Sequence, residues 1–252
     1  MSFAVAADAY DRFMGRYSGE LALGFANFAG VEAGQKVLDV GCGPGALTAQ
    51  LVRRVGAESV AAVDPSESFV AAARERHPGV DVRLAVAEEL PYADGSFDAT
   101  LAQLVVHFMT DPAAGVAEMV RVTRSGGVVA ACVWDLAGGR APISVFWRAA
   151  HELDDAVQDE SRLAGTREGH LAELFEAAGL RQVQERELSV SVRYAGFDEW
   201  WEPFTFGVGP AGMYAKSLGE TELSALRERC RALLADGRTS LTAVAWAARG
   251  VA

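Results

Sequence analysis

Over the first half of the chain, short apolar runs alternate with stretches whose apolar residues recur at helical spacing. Residues 36–40 (KVLDV) form the first run and end in glycines, and 46–55 then repeat apolar positions along one helix face. A second run, 59–63, is ended by Asp64-Pro65; Ser66 caps a helix to about residue 77, and Pro78-Gly79 stops it. Residues 80–87 read as a third strand, and 97–106 contain a fourth. Asp111-Pro112 is a strong helix start, an N-cap acid followed by proline at the first helical position. That helix runs to Ser125-Gly126-Gly127, and 128–134 (VVAACVW) form a fifth strand. Strands that are apolar throughout and alternate with helices predict a parallel sheet covered on both faces.

After Asp135 the rhythm changes. Residues 143–153 and 168–178 are helical in pattern, 181–194 alternate as a strand, and 241–249 form a last one. Between those two strands lies an insertion, 197–236, that carries Trp200, Trp201, Phe204, Phe206 and Tyr214. The pattern therefore predicts one domain over 1–252. It has a helical cover at 1–35, a core at 36–135, and a C-terminal part at 136–252 holding an aromatic cap.

The 252 residues are 50% hydrophobic and 23% charged, which is ordinary globular composition. A net charge of −11 opposes nucleic acid or an anionic membrane surface as the main partner. No apolar run nears the ~18 residues of a membrane span. Asp8 precedes the first basic residue, Arg12, which argues against a secretory leader. The three cysteines lack CxxC spacing and the four histidines are scattered, so no metal set is expected. These features together predict a cytoplasmic, metal-free chain.

The segment from Val37 to Ala46 (VLDVGCGPGA) carries the chemistry. A glycine-rich turn from a strand into a helix lets backbone approach a ligand and aims free N–H groups at its negative end. Gly41, Gly43 and Ala46 satisfy the dinucleotide fingerprint, and Asp64 at the end of the second strand suits a ribose diol. Two features pull away from a dinucleotide. Asp39 stands before the first glycine, where an acid suits a ligand with an ammonium end, and Gly45 arrives one position early.

The segment resembles the signature loop of class I S-adenosylmethionine-dependent methyltransferases, most closely the type 11 small-molecule group that includes quinone C-methylating enzymes. The resemblance implies a Rossmann-like α/β fold, a seven-stranded, mostly parallel sheet with helices on both faces and an antiparallel last strand. It implies S-adenosyl-L-methionine as cofactor, bordered by Asp39, Gly41, Cys42, Gly43 and Gly45, with the Cys42 thiol facing the cofactor or filling space. Asp64 and Pro65 match the family's ribose-binding corner. Residues 88–98 (EELPYADGSFD) match the stretch after the adenine contacts, where Ala87 offers backbone N–H and Glu88 a carboxylate. Val86 stands where the family commonly has an aspartate. Gln103 and His107 fall where the family lines the methionine moiety and the acceptor. Residues 10–17 resemble the covering N-terminal helix, with Tyr10 and Arg16 the groups able to bond the cofactor carboxylate.

The implied activity is methyl transfer to oxygen or carbon of a small organic acceptor. A general base is needed only where the nucleophile carries a proton, and His107 is then the candidate, its alternative being a packed strand-end histidine. Trp200 and Phe204 either contact the acceptor or glue the cap to the sheet. Two other functions stay open on sequence: a nicotinamide-dependent oxidoreductase, and a non-catalytic S-adenosylmethionine-binding protein.

Overall fold

The computed structural model describes residues 7–234 and 240–252; the last two positions of the sequence-predicted cap, 235–236, lie outside them. Seven strands form one sheet: β1 (Val37–Val40), β2 (Val60–Asp64), β3 (Asp81–Leu84), β4 (Phe97–Gln103), β5 (Thr123–Trp134), β6 (Arg181–Arg193) and β7 (Ser240–Val251). Their order is β3-β2-β1-β4-β5-β7-β6. The first five pair in parallel, and β7 runs antiparallel to both β5 and β6.

Successive strand side chains point to opposite faces, so each apolar run feeds two cores. Val37, Leu101, Ala130 and Cys132 pack with Leu47 and Leu51 of the helix Ala46–Val55 and with the helix Arg16–Ala29. Leu38, Ala102, Ala131 and Val133 pack on the other face with Val116 and Met119 of the helix Pro112–Val122 and with Leu171 and Phe175 of the helix His170–Ala177. Asp111 caps Pro112–Val122 as its position predicts, accepting from the backbone N–H of Ala114 at 3.0 Å.

Two boundaries differ from the sequence reading. The edge strand β3 stops at Leu84, paired with Asp64 of β2, and a last bond from the Ala85 N–H to the Asp64 carbonyl at 3.2 Å closes the ladder. The helix after Asp111 ends at Val122, because Thr123 folds back to donate its hydroxyl to the Met119 carbonyl and begins β5 early.

The cap consists of the helices Phe197–Trp201, Gly209–Ser217 and Glu220–Leu233 with a tight turn at Glu202–Phe206. It is seated on the helix Ser144–Leu153, where Phe146 stacks on Phe204 at 4.6 Å. The N-terminal segment reaches the cap through ion pairs Arg12–Glu202 (2.8 Å) and Arg16–Glu199 (2.6 Å). Both pairs are partly or fully solvated, so they orient the segment more than they stabilise it.

Candidate functional site

At the C-terminal end of β1 the chain turns on glycines in the left-handed region: Gly41 at φ +70°, Gly43 at +53° and Gly45 at +103°. The N–H groups of Gly41 and Cys42 both donate to the Val63 carbonyl, which ties the turn to β2. A Cβ on Gly41 would lie 2.4 Å from the Val105 side chain, and one on Gly45 would lie 2.3 Å from the His77 ring. Gly43 differs, since a Cβ there would meet open space. Alanine at these positions is expected to separate packing from binding. Gly41→Ala combines backbone strain with a clash and should cost about 2–4 kcal/mol of stability. Gly43→Ala meets the same left-handed strain without a clash; it should cost about 1–2 kcal/mol and instead weaken ligand binding. Urea unfolding together with ligand titration checks both, and equal stability losses would contradict the assignment.

Beside this turn lies a cavity of about 240 Å³. Among the sequence-predicted residues it brings together Tyr10, Gly41, Gly43, Asp64, Pro65, Ala87, Glu88 and Gln103. Asp64 accepts from the Gly43 N–H and the Ser66 N–H, each at 2.8 Å, and so shapes the turn it faces. Burial raises its carboxyl above the usual range, against the pull of those two bonds. Gln103 donates to the Ser18 carbonyl at 3.0 Å, and its Oε1 is buried with no partner among the described residues. Glu88 already accepts from the N–H groups of Thr110 (2.7 Å) and Asp111 (3.2 Å), so it braces the loop beyond β4 as well as facing the cavity.

Four predicted residues stay off the cavity wall. Asp39 lies beneath the turn, 1% exposed, with Oδ2 accepting from the Thr48 hydroxyl at 2.6 Å and Oδ1 unpartnered among the described residues. Burial pushes its carboxyl up to about 7, beyond what the Thr48 bond can lower, and nearby Asp64 adds to the rise. Cys42 turns away to pack with Ala62, Val70, Ala73 and Val82. Burial holds its thiol well above the usual value, so it fills space and does not act as a thiolate. Gly45 is reserved for the His77 contact. Arg16 is engaged by Glu199, with its guanidinium over the Tyr194 ring at 4.9 Å.

His107 lines a second, smaller cavity of about 50 Å³, together with Phe13, Met14, Trp134, Ile143, Glu160 and the start of the cap helix Gly209–Ser217. The two cavities share Tyr10, Leu104 and Phe108 as a common wall. Leu104 takes φ +62°, an uncommon conformation for a branched side chain, and its N–H is anchored to the Cys132 carbonyl at 2.8 Å. Burial alone lowers His107 to about 3, so it is neutral across the physiological range. Trp200 (4% exposed) and Phe204 (2%) border neither cavity and belong to the core under the cap.

Sequence reasoning missed Phe69, Leu104, Val105, Phe108 and Met109 in the first cavity and Glu160 in the second. The apolar run that follows Gln103 was a readable signal for Leu104 to Met109. Phe69 meets Tyr10 edge-on at 5.4 Å, a contact between distant segments that no local pattern announces.

Residues 38–131 match the family model described as a methyltransferase domain. An uncharacterised methyltransferase of Mycobacterium tuberculosis is 37% identical over 127 residues, covering 50% of this chain and 49% of the relative. A demethylmenaquinone methyltransferase of a Mycobacterium species is 34% identical over 173 residues, covering 64% of this chain and 74% of that protein. The chain thus spans about half the length of the first relative and about three quarters of the second. Among solved structures, the YcgJ protein of Bacillus subtilis superposes with a TM-score of 0.59 at 19% identity, over 93% of this chain and 97% of that one. At that identity the likeness concerns the fold.

Proposed function

The chain belongs to the class I S-adenosylmethionine-dependent methyltransferases of the type 11 group, and from that premise we propose that it methylates oxygen or carbon of a small organic acceptor. The observation that carries the reading is the pair of cavities that meet at Tyr10, Leu104 and Phe108, one carrying Asp64, Glu88 and Gln103 at the glycine turn and one largely apolar beneath the cap. The name of the demethylmenaquinone relative is compatible with a small, flat acceptor.

The residues of the first cavity fit the cofactor. On the cavity wall the buried Gln103 Oε1 has no partner among the described residues, although buried polar atoms are normally satisfied. Gly43 leaves open the space a side chain would fill. When bound, the cofactor supplies a methyl group already activated on a sulfonium sulfur. Asp64 would take the ribose hydroxyls on its remaining lone pairs, and Gln103 Oε1 would accept from a donor at the amino-acid end. Asp39, out of contact, would act through its charge beneath the turn. Phe69, Val86 and Met109 provide apolar surface for a purine ring. Leu104 and Phe108 are apolar side chains common to both linings, and alignment is the main catalytic requirement for such a transfer. His107, neutral and with Nδ1 unpartnered, serves as a hydrogen-bonding group toward the acceptor rather than as a proton store.

Calorimetric titration tests this directly. S-adenosylhomocysteine is expected to bind with micromolar affinity and NADH or NADPH to give no heat. The reverse pattern would replace the methyltransferase reading by that of an oxidoreductase. Transfer of a labelled methyl group to a panel of phenols, quinones and indoles then separates an enzyme from a protein that only binds the cofactor.

A further inference from the structure

The second cavity is walled by apolar side chains, yet two polar groups are buried in it. Glu160 is 4% exposed and sits in the segment between the helices Ser144–Leu153 and His170–Ala177, whose acidic residues Asp154 and Asp155 face solvent. Its Oε2 accepts from Trp147 Nε1 at 2.6 Å, and no other side chain among the described residues bonds to the carboxyl. His107, 6% exposed, borders the same cavity with its Nδ1 unpartnered. Burying a carboxyl is costly and one indole bond offsets only part of that cost. An indole N–H needs a single acceptor, which a carbonyl supplies at lower cost. Beyond Trp147 and its own backbone N–H, the carboxyl keeps lone-pair positions that border the cavity.

We infer that Glu160 is a specificity-determining residue for the acceptor, selecting a small, flat, uncharged molecule that carries a hydroxyl group, of which a phenol is the simplest case. This rests on the methyltransferase reading of the adjoining cavity. A hydroxyl is both donor and acceptor. Glu160 takes its proton side, while the neutral imidazole of His107 has one N–H and one lone pair to complete the bonding. Burial holds the Glu160 carboxyl near 7, against the bond from Trp147, and holds His107 neutral. The pair thus offers no positive charge to an anionic acceptor and a partial negative charge that repels one. An ether of the same shape can accept from His107 but leaves the carboxyl without a donor. Sites built to bond a hydroxyl discriminate strongly against analogues lacking it, because their own polar groups are then left unpaired.

The test uses the full chain saturated with S-adenosylhomocysteine, titrated with p-cresol, 4-methylanisole and 4-methylbenzoate by calorimetry. p-Cresol is expected to bind about tenfold more tightly than either analogue, the size of one charge-assisted hydrogen bond. Glu160→Gln keeps an acceptor for Trp147 and is expected to leave S-adenosylhomocysteine affinity unchanged while reducing the preference over the benzoate to about threefold or less. Glu160→Asp, which keeps the carboxyl but shortens its reach, is expected to retain the order of preference at lower affinity, and stands in if the glutamine variant does not fold. A merely structural Glu160 would shift the melting temperature without changing the order. Equal binding of the three probes, binding of none, or an unchanged preference in Glu160→Gln would overturn the inference. Failure of wild-type protein to bind S-adenosylhomocysteine is a different result: it removes the methyltransferase reading, and the inference falls with it.

Discussion

Asparagine at position 39 is expected to make the free protein more stable at pH 8 and, at the same time, to cost it at least about tenfold in S-adenosylhomocysteine affinity. Asp39 is 1% exposed, and its carboxyl is raised from an ordinary 3.8 to about 7 by burial, with Asp64 adding to the rise. An acid whose folded-state pKa lies above its unfolded one holds an extra proton in the folded state between those values. Stability then falls as pH rises through that window, here from about 4 to about 7, and stays low above it. A rise of this size corresponds to about 4 kcal/mol at most, since one unit is about 1.4 kcal/mol. Part of it is not recovered, because the asparagine amide leaves a buried donor unpaired at about 1–3 kcal/mol. A net gain of about 1–3 kcal/mol at pH 8 remains, or roughly 2–12 °C in a chain of this size. Near pH 4 the gain disappears. Glu160 has a similarly raised pKa and contributes to the wild-type pH slope, so the comparison is between variants at each pH. Melting curves at pH 4 and pH 8 check the stability half. A variant destabilised at both would show that the Thr48–Asp39 hydrogen bond outweighs the burial of charge. The binding half follows from the same charge. A cationic amino group stabilises ionised Asp39, so wild-type affinity should rise between pH 6 and pH 8, and Asp39→Asn should abolish that rise.

The central sheet was legible because parallel strands buried on both faces must be apolar throughout. The runs at 36–40, 59–63 and 128–134 therefore located β1, β2 and the buried part of β5 to within one or two residues, although β5 itself begins earlier, at Thr123. The edge strand β3 was read too long, since an edge has one neighbour and its burial pattern loses meaning once pairing ends at Leu84. Strand order is a different matter. Periodicity does not encode it, and the order with an antiparallel β7 came through family resemblance alone.

At the site, residues whose role is fixed by backbone geometry were readable: Gly41, Gly43 and Asp64 line the cavity as the motif implies. Residues whose role depends on which way a side chain turns were not. Tyr10 and Arg16 stand on either side of a π-helical segment, Asp11–Gly15, whose wider turn no sequence pattern announces; Tyr10 meets the cavity while Arg16 meets Glu199. Glu160 was invisible because Trp147 and His107, which give it meaning, come from different elements of the fold.

The aromatic cap poses the sharpest test of a side chain that sequence left between two roles. Phe204 is 2% exposed; it stacks on Phe146 with 6° between the planes, meets Trp200 at 4.9 Å, and receives Phe13 edge-on at 5.1 Å. It therefore joins three segments: the cap turn, the helix Ser144–Leu153 and the N-terminal cover. Phe204→Ala removes the ring from all three and is expected to cost about 3–5 kcal/mol, or roughly 6–20 °C in melting temperature. Phe204→Leu preserves most of the volume and should cost about 1–2 kcal/mol. Val208 and the start of the helix Gly209–Ser217, only a few residues further on, line the second cavity, so loosening the cap should weaken p-cresol binding. The first cavity draws no residue from the cap, so Phe204→Leu should keep its S-adenosylhomocysteine affinity within about twofold, a difference of roughly 0.4 kcal/mol. An acceptor-contacting Phe204 gives the opposite pattern, with acceptor binding lost and the melting temperature unmoved. Thermal unfolding of the alanine variant, set beside calorimetry on the leucine variant, distinguishes the two roles, and the three-way packing around this ring predicts the first.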